Sequence, residues 1–367
     1  MIAPPRPGPE DAVPQLHALT GLRGIAAWLV VFYHIRFSMA ELVPGDVIAF
    51  LGKGYLAVDL FFLLSGFVLW LNYGQRLRVG GLAAAPHFWW RRFARIWPLH
   101  AALLLALMGF VGLLLLTGRS TDGYPLAELP LHLVQNWGLT GDLSWNHPAW
   151  SISAELAAYL LFPLIALALR WGRLGAPALC ALVLALHGLF AGAGAADNLG
   201  HDIPRFGLWR CLAEFTMGIA LANLWQRWRG QAGAALLLGL AGAIIGAASL
   251  AAGLPETAFV PLTFALLLLA LALDRGAVSR LLEARPLRLL GDWSYATYLA
   301  HFPLFIAFKL VFVGDDLQLS GATLALFLAL TLAASAALYR WLERPAQRWL
   351  NHRAPAAASR RGAVARS

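Results

Sequence analysis

The sequence predicts an all-α, polytopic integral membrane protein, on the evidence of its composition, its recurring apolar stretches and the placement of its charges. Of 367 residues, 60% are hydrophobic and 13% are charged, and the mean hydropathy is +0.66. Soluble domains carry about 25% charged residues. Stretches of about 20 mostly apolar residues, long enough to cross a bilayer, follow one another along the chain. Lipid is therefore the expected solvent.

About ten such stretches occur, and each predicts one transmembrane helix. A count of nine or eleven helices is the alternative, because the Ala/Gly/Leu-rich run 232–273 is interrupted only by Gly253, Pro255 and Glu256. The predicted spans are 18–39, 55–72, 98–117, 150–170, 175–193, 206–226, 232–252, 257–273, 291–313 and 318–340.

One membrane domain, 17–350, accounts for nearly the whole chain. Residues 1–16 are Pro-rich and lack the apolar core of a cleavable signal peptide, which predicts a cytoplasmic N-terminal segment. Residues 351–367 are rich in Ala and Arg, which predicts a disordered cytoplasmic tail.

Charge placement gives the predicted spans an orientation, since cytoplasmic loops accumulate Lys and Arg. With the N-terminus in the cytoplasm, the external segments hold only Lys53, Arg119 and Arg205 of the 28 Lys and Arg residues. Both termini are therefore predicted to be cytoplasmic, in a multi-pass protein of the cytoplasmic (inner) membrane. The net charge of +9 then reflects topology and contact with anionic membrane lipids, and indicates no nucleic-acid partner.

Ionisable side chains inside the spans are the candidates for chemistry, because each costs a few kcal/mol in hydrocarbon unless it is paired or functional. No metal site is expected, since Cys180 and Cys211 lack the spacing of metal ligands. The ionisable residues within the spans are Arg23, His34, Arg36, Asp59, Glu155, Arg210, Glu214, His301 and Lys309.

Depth along the helices, at 1.5 Å per residue, brings three of these to a similar level in the outer third of the membrane. His34 lies near the external end of the first span, while Asp59 and Glu155 lie near the external starts of the second and fourth. A histidine beside a carboxylate is typical of a general base. A histidine that only hydrogen-bonds a neighbouring helix is the alternative.

Two further features allow both a structural and a functional interpretation. Arg210 and Glu214 stand at i and i+4, which suits either a neutralised ion pair within one helix or a substrate contact. The predicted loop after the second span, 88–98, combines arginines with tryptophans. It suits either anchoring at the cytoplasmic face or a clamp for phosphate, whose oxygens guanidinium groups bind in pairs.

Short blocks with a characteristic order extend from residue 19 to residue 345. They are Leu19–Ala27, Val31–His34, Val58–Phe67, Arg92–Pro98, Trp150–Glu155 with Tyr159 and Pro163, Arg210, Glu214–Phe215, Gly218, Ser294–His301 and Glu343–Pro345. Together they resemble the acyltransferase-3 family of membrane O-acyltransferases, in the form expected to stand alone without a fused SGNH-type hydrolase domain. One departure is Ala158, where the family usually has an aromatic residue.

The resemblance implies transfer of an acyl group, usually acetyl, from cytoplasmic acyl-CoA to a hydroxyl of a cell-surface or lipid-linked glycan. Acyl-CoA would be a co-substrate, and no metal is implied. A small natural product such as a macrolide is the alternative acceptor. The alternative from another class is a secondary transporter with about ten helices, but such proteins tend to show paired repeats, and the sequence shows none. Acyl chain length and oligomeric state are not predicted.

The resemblance also implies roles for matched residues. His34 would remove the proton of the acceptor hydroxyl, or accept the acyl group itself, with Asp59 and Glu155 orienting it and the hydroxyl. Arg92 and Arg95 would bind the CoA phosphates, and Arg23 would orient the donor. Apart from the resemblance, the chemistry requires a group that stabilises the oxyanion, and Arg23, Tyr33 and backbone N–H groups near Gly24 are the candidates. The predicted substrate-pocket residues are Tyr33, Ser151, Tyr159, Arg210, Glu214, Tyr298 and His301.

Overall fold

The computed structural model describes residues 16–192, 198–231, 233–314 and 318–355. Nearly all of the predicted N-terminal segment and most of the predicted tail lie outside the described residues. Within the described ranges, every regular element is helical. The α-helices are α1 (His17–Ile35), α2 (Gly45–Leu51), α3 (Ala57–Leu69), α4 (Gln75–Gly80), α5 (Ala85–Leu116), α6 (Ala149–Ala168), α7 (Ala176–Gly192), α8 (Ile203–Trp228), α9 (Ala234–Ala251), α10 (Glu256–Leu273), α11 (Ala277–Leu282), α12 (Arg285–Phe312), α13 (Gly321–Leu338) and α14 (Arg344–Asn351).

Each predicted span overlaps one of these helices, but length and apolarity mark only seven candidate membrane spans among the described residues. The predicted count of about ten is not confirmed, for three physical reasons. Gly45–Leu116 is one helical stretch of 72 residues that contains two predicted spans. Helix α7 has 17 residues, fewer than a typical span. Helix α8 is less apolar because it carries Arg210 and Glu214.

The prediction of a loop at 88–98 is wrong, because these residues lie in the first turns of α5. The helix starts at Ala85 and has a proline within its first two positions, where a missing N–H costs nothing. Arg and Ala favour helix, and the aromatic residues give the segment an apolar side. Pro98 lies inside the helix, so it does not mark the boundary between loop and span.

Helices α1 and α12 are held together by a close approach at Gly24 and Gly291. A Cβ atom on Gly24 would lie 2.7 Å from the Gly291 nitrogen, and one on Gly291 would overlap the carbonyl oxygen of Thr20. Such contact distances allow no side chain larger than hydrogen at the crossing. Ten residues farther along both helices, His34 meets His301, so the helices run parallel in a constant register.

The outer surface is apolar, as a lipid environment requires. Helix α9 exposes Leu237, Ile244 and Leu250, each by more than 60%, and Leu116 at the end of α5 is 88% exposed. The buried core instead lies around α3, α6 and α8. The molecule is therefore a multi-pass membrane bundle whose polar residues, described next, lie inside.

Candidate active site

An interior cavity of about 170 Å³ lies among α1, α3, α5, α6 and α12. Helices distant in sequence supply its walls, and seven residues predicted for the site are among them. The predicted residues that line it are Arg23, Arg92, Arg95, Ser151, Glu155, Tyr159 and Tyr298. The predicted donor-binding arginines and much of the predicted pocket therefore meet in one place.

The three arginines of this cavity differ in whether a carboxylate neutralises their charge. Arg23 donates to the carbonyl oxygen of Gly291 at 3.1 Å and to the hydroxyl of Ser294 at 3.0 Å. Arg92 donates to the hydroxyl of Tyr73 at 3.3 Å. Neither forms an ion pair with a carboxylate of the described ranges, so both keep a positive charge available to an anionic or carbonyl-bearing ligand.

Arg95, in contrast, is already paired with Glu343. The carboxylate accepts a hydrogen bond from the Arg95 guanidinium, and it lies at the last position of a π-helical turn, Tyr339–Glu343, that continues α13. Such turns rotate side chains away from the regular helical positions. Arg95 also stacks over the Tyr295 ring at 5.0 Å. Because Glu343 already occupies this guanidinium, the structure does not favour the predicted role of Arg95 as a ligand of the CoA phosphates.

Hydroxyl groups extend along the wall formed by α6 and α12. The hydroxyls of Ser151 and Tyr298 lie 2.8 Å apart, and both also bond the carbonyl oxygen of Pro148. Deeper along α6, the Tyr159 hydroxyl accepts a bond from Ser65 at 3.4 Å. Glu155 lies between these two groups in sequence and is the carboxylate among the residues lining the cavity.

His34 and His301 form a pair beside Tyr298. His34 Nδ1 lies 2.9 Å from the Val30 carbonyl oxygen and 3.2 Å from His301 Nε2, and His301 Nδ1 lies 3.0 Å from the Thr297 carbonyl oxygen. With a proton on Nδ1 of each ring, the N–H of His301 is donated to the Thr297 carbonyl oxygen, and the single N–H of His34 is shared between the Val30 carbonyl oxygen and His301 Nε2. The lone pair of His34 Nε2 is then free to accept a proton. The Tyr298 and His301 ring centroids are 6.2 Å apart, which places the pair next to the cavity wall.

The predicted carboxylate partners of His34 are wrong. Within the described part of the chain, no hydrogen bond or ion pair joins His34 to Asp59 or Glu155. Asp59 instead accepts two bonds from the Arg210 guanidinium, one of them from Nε at 2.5 Å, and Glu155 faces the cavity. His34, Asp59 and Glu155 therefore face different neighbours.

The ion pair predicted between Arg210 and Glu214 does not form, because Arg210 pairs with Asp59. Arg210 bonds Asp59 and donates to the carbonyl oxygen of Leu199 at 2.7 Å. Both carboxylate oxygens of the fully buried Glu214 lack a hydrogen-bond partner among the described residues. Neither Arg210 nor Glu214 lines the interior cavity, so the structure gives them a place in helix packing and not in the pocket.

Several residues near the site were not singled out from the sequence. Ser65, Ser294 and Tyr295 line the cavity, but isolated hydroxyl residues give little signal. His147 stacks on Phe302 with ring centroids 4.8 Å apart, and Phe302 in turn packs 5.3 Å from His34. Burial lowers the pKa of His147, which favours a neutral ring beside the pair. Its position in a loop, outside the predicted spans, hid it from a search of the spans.

Together, a helical bundle with an apolar exterior, an interior cavity lined by arginines and a histidine pair beside that cavity define a membrane protein with a polar interior site. The chain belongs to the acyltransferase-3 family, since the sequence model of that family, described as an acyltransferase domain, matches residues 16–340. The membership predicted from the ordered blocks is confirmed.

Relatives named for acyl transfer agree with this assignment. Acyltransferase MdmB of Streptomyces mycarofaciens is 31% identical over 94% of this chain and 95% of its own length. The putative membrane-bound transacylase BcsY of Komagataeibacter xylinus is 27% identical over 94% of this chain and 86% of its own. A putative O-acetyltransferase of Staphylococcus aureus (strain COL) is 26% identical over 40% of this chain and 24% of its own. No solved structure matches significantly. The chain is an acyltransferase, which disfavours the transporter alternative.

Proposed function

We propose that this enzyme transfers an acyl group, acetyl in the first instance, from cytoplasmic acyl-CoA to a hydroxyl of a cell-surface or lipid-linked glycan. It would act in the cytoplasmic membrane with both termini in the cytoplasm. The observation that supports this proposal is the interior cavity, which holds the unpaired cations Arg23 and Arg92 and extends to Tyr298, whose ring lies 6.2 Å from that of His301 in the histidine pair. A donor that enters at one face could thereby meet an acceptor that arrives at the opposite face.

The position of His34 favours an acceptor at the outer face. His17, at the start of α1, and His34 are 17 residues apart, which corresponds to about 26 Å along the helix. The excess of Lys and Arg on the side where α1 begins supports a cytoplasmic location for that end. His34 would then face the outer leaflet, where lipid-linked and surface glycans lie, and a soluble intracellular product would have poor access to it.

In the proposed reaction, the acceptor hydroxyl gives its proton to Nε2 of His34 while its oxygen attacks the thioester carbonyl carbon. The resulting oxyanion collapses, the carbon–sulfur bond breaks, and the CoA sulfur takes the proton back from His34. The products are an ester and CoA. His301 acts as a positioning residue, because its Nε2 atom accepts the N–H of His34 and fixes the ring orientation.

Of the three predicted sources of oxyanion stabilisation, Tyr33 fits the geometry. Arg23 and Gly24 are about ten residues before His34, or about 15 Å along α1, which is too far for the reacting carbonyl. The Tyr33 ring packs against His34 with centroids 4.9 Å apart. Its phenol can donate a hydrogen bond to the oxyanion. Arg23 and Glu155 would instead bind the amide groups of the pantetheine arm of CoA, as donor and acceptor respectively.

Mass spectrometry of surface and lipid-linked glycans tests the proposal. Cells with the gene should carry the mass of one added acetyl group on a glycan, and cells without it, or with His34→Ala, should lack it. In proteoliposomes, the purified enzyme should release CoA from acetyl-CoA when supplied with the lipid-linked glycan fraction of those cells.

Unchanged glycans together with a missing acetyl group on an intracellular natural product would contradict the acceptor. Release of CoA by His34→Ala at the wild-type rate would contradict the assigned base. Arg76→Gln, at an exposed arginine of α4, is the matched control and should behave as wild type.

A further inference from the structure

A second, larger opening of about 720 Å³ lies at the end of the bundle where α1 and α12 begin. We call it the cationic cleft, because Arg23, Arg285, Arg288 and Arg344 line it together with His17. Asp292 is the carboxylate among its lining residues. The cleft is thus a concave surface with a large excess of positive charge.

These arginines lack close ion-pair partners among the residues that the structure describes. Arg95 and Arg210 both have carboxylate partners, whereas Arg285, Arg288 and Arg344 form no ion pair within the described ranges. The Nε atom of Arg288 is buried without a hydrogen-bond partner there. A buried donor without an acceptor destabilises the protein, so an anionic ligand that accepts from it would remove that cost.

The helix ends at the cleft add to its affinity for anions. Neither the cap of α1, at Leu16, nor that of α12, at Ala284, has a side chain that bonds the first backbone N–H groups. The uncapped starts of these helices and the positive ends of two long helix dipoles, of 19 and 28 residues, favour bound phosphate. Guanidinium groups bind phosphate oxygens in pairs, so both features select the same ligand chemistry.

The cationic cleft adjoins the interior cavity. Arg23, Leu64 and Val68 line both spaces, so a ligand can occupy the two at once. We propose that the cationic cleft binds the phosphate-bearing nucleotide end of CoA, while the pantetheine arm passes Arg23 into the interior cavity. This inference rests on the proposed function, and it assigns phosphate binding mainly to Arg285, Arg288 and Arg344 instead of Arg95.

Binding measurements with three probes test the cleft. CoA, 3′-dephospho-CoA and pantetheine share one arm but differ in their phosphates. Arg288→Gln and Arg344→Gln should each weaken CoA binding about tenfold or more, as expected for the loss of charge-assisted hydrogen bonds. Binding of pantetheine should not change. The matched control is Arg280→Gln in α11, an exposed arginine that is not among the lining residues and should bind all three probes as wild type does.

Bilayer composition separates CoA from lipid as the source of the phosphate. In nanodiscs of phosphatidylcholine alone, where no anionic headgroup competes, the loss of CoA affinity in the two variants should persist. If the variants bind CoA normally but lose stabilisation by phosphatidylglycerol, the cleft is a lipid site and the inference is overturned. Equal losses for CoA and pantetheine would also overturn it, since the effect would then not depend on phosphate.

Failure of the proposed function gives a different result. Wild-type protein that binds CoA in neither bilayer would remove acyl-CoA as the donor, and the assignment of the cleft would fall with it. Wild-type protein that binds CoA and transfers acetyl, with arginine variants indistinguishable from it, would leave the function standing and refute the cleft alone. Ionic strength gives a check that needs no variant: added salt should weaken CoA binding and leave pantetheine binding unchanged.

Discussion

The guanidinium group of Arg210 holds the carboxylate of Asp59 in a two-pronged ion pair at the centre of the bundle. Only 3% of Arg210 and 0% of Asp59 is exposed. The pair joins α8 to α3, and the third arm of the guanidinium donates to the Leu199 carbonyl oxygen. Charges at such depth persist when they are fully satisfied, which this geometry achieves. Asp59 is therefore bound to a structural partner and is not available to His34.

Asp59→Asn should destabilise the protein without directly affecting the chemistry. Removal of one partner of a buried ion pair leaves an uncompensated charge and costs about 3–5 kcal/mol. The expected result is a lower thermal unfolding temperature in detergent and a smaller yield of folded protein. The double variant Asp59→Asn, Arg210→Gln should recover part of the loss, because no lone charge remains. An Asp59→Asn protein with wild-type stability but no acyl transfer would show that Asp59 takes part in the reaction.

The sequence locates the helices well but predicts the neighbours of individual side chains poorly. Apolar stretches located the helices, and the ordered blocks identified the family, because both are local patterns. Which way a side chain faces depends on the rotation of its helix and on the order in which helices pack. Asp59 and His34 were predicted to be neighbours, yet Asp59 faces α8 and His34 faces α12. The pairing of Arg95 with Glu343 was equally hidden, since the two residues are 248 positions apart.

His34→Ala should reduce acyl transfer about 10²- to 10⁴-fold, the usual contribution of a general base, while thermal stability changes little. His301→Leu should also reduce the rate, because the His34 ring loses the partner that fixes its orientation. His301→Gln should retain more activity than His301→Leu, since an amide oxygen can still accept the His34 N–H. Release of CoA from acetyl-CoA in proteoliposomes measures all three. Equal rates for the Gln and Leu variants would contradict a positioning role for His301.

Gly291→Ala should separate α1 from α12. A Cβ atom at this position overlaps the Thr20 carbonyl oxygen, and backbone atoms cannot move aside as a flexible side chain can. Overpacking of this kind costs about 1–3 kcal/mol, and the shift should also disturb the His34–His301 contact on the same two helices. We expect a lower unfolding temperature together with reduced acyl transfer.

Gly109→Ala in α5 provides the matched control for this substitution. No heavy atom lies within 4 Å of a Cβ atom placed there, and alanine favours helix over glycine by about 1 kcal/mol. Its stability should equal or slightly exceed that of the wild type. A Gly291→Ala protein as stable and active as Gly109→Ala would show that the close approach of the two helices is not required.

Arg92 and Arg95 should respond differently to loss of charge, although they are one helical turn apart in the same Arg-rich segment. Arg92→Gln removes a cation without a carboxylate partner and should weaken CoA binding, with little change in stability. Arg95→Gln leaves Glu343, which is 2% exposed, buried without its partner and should chiefly lower the unfolding temperature. Adding Glu343→Gln to Arg95→Gln should restore part of that stability. Equal weakening of CoA binding in the two single variants, with unchanged stability in both, would show that Arg95 binds the donor despite its ion pair.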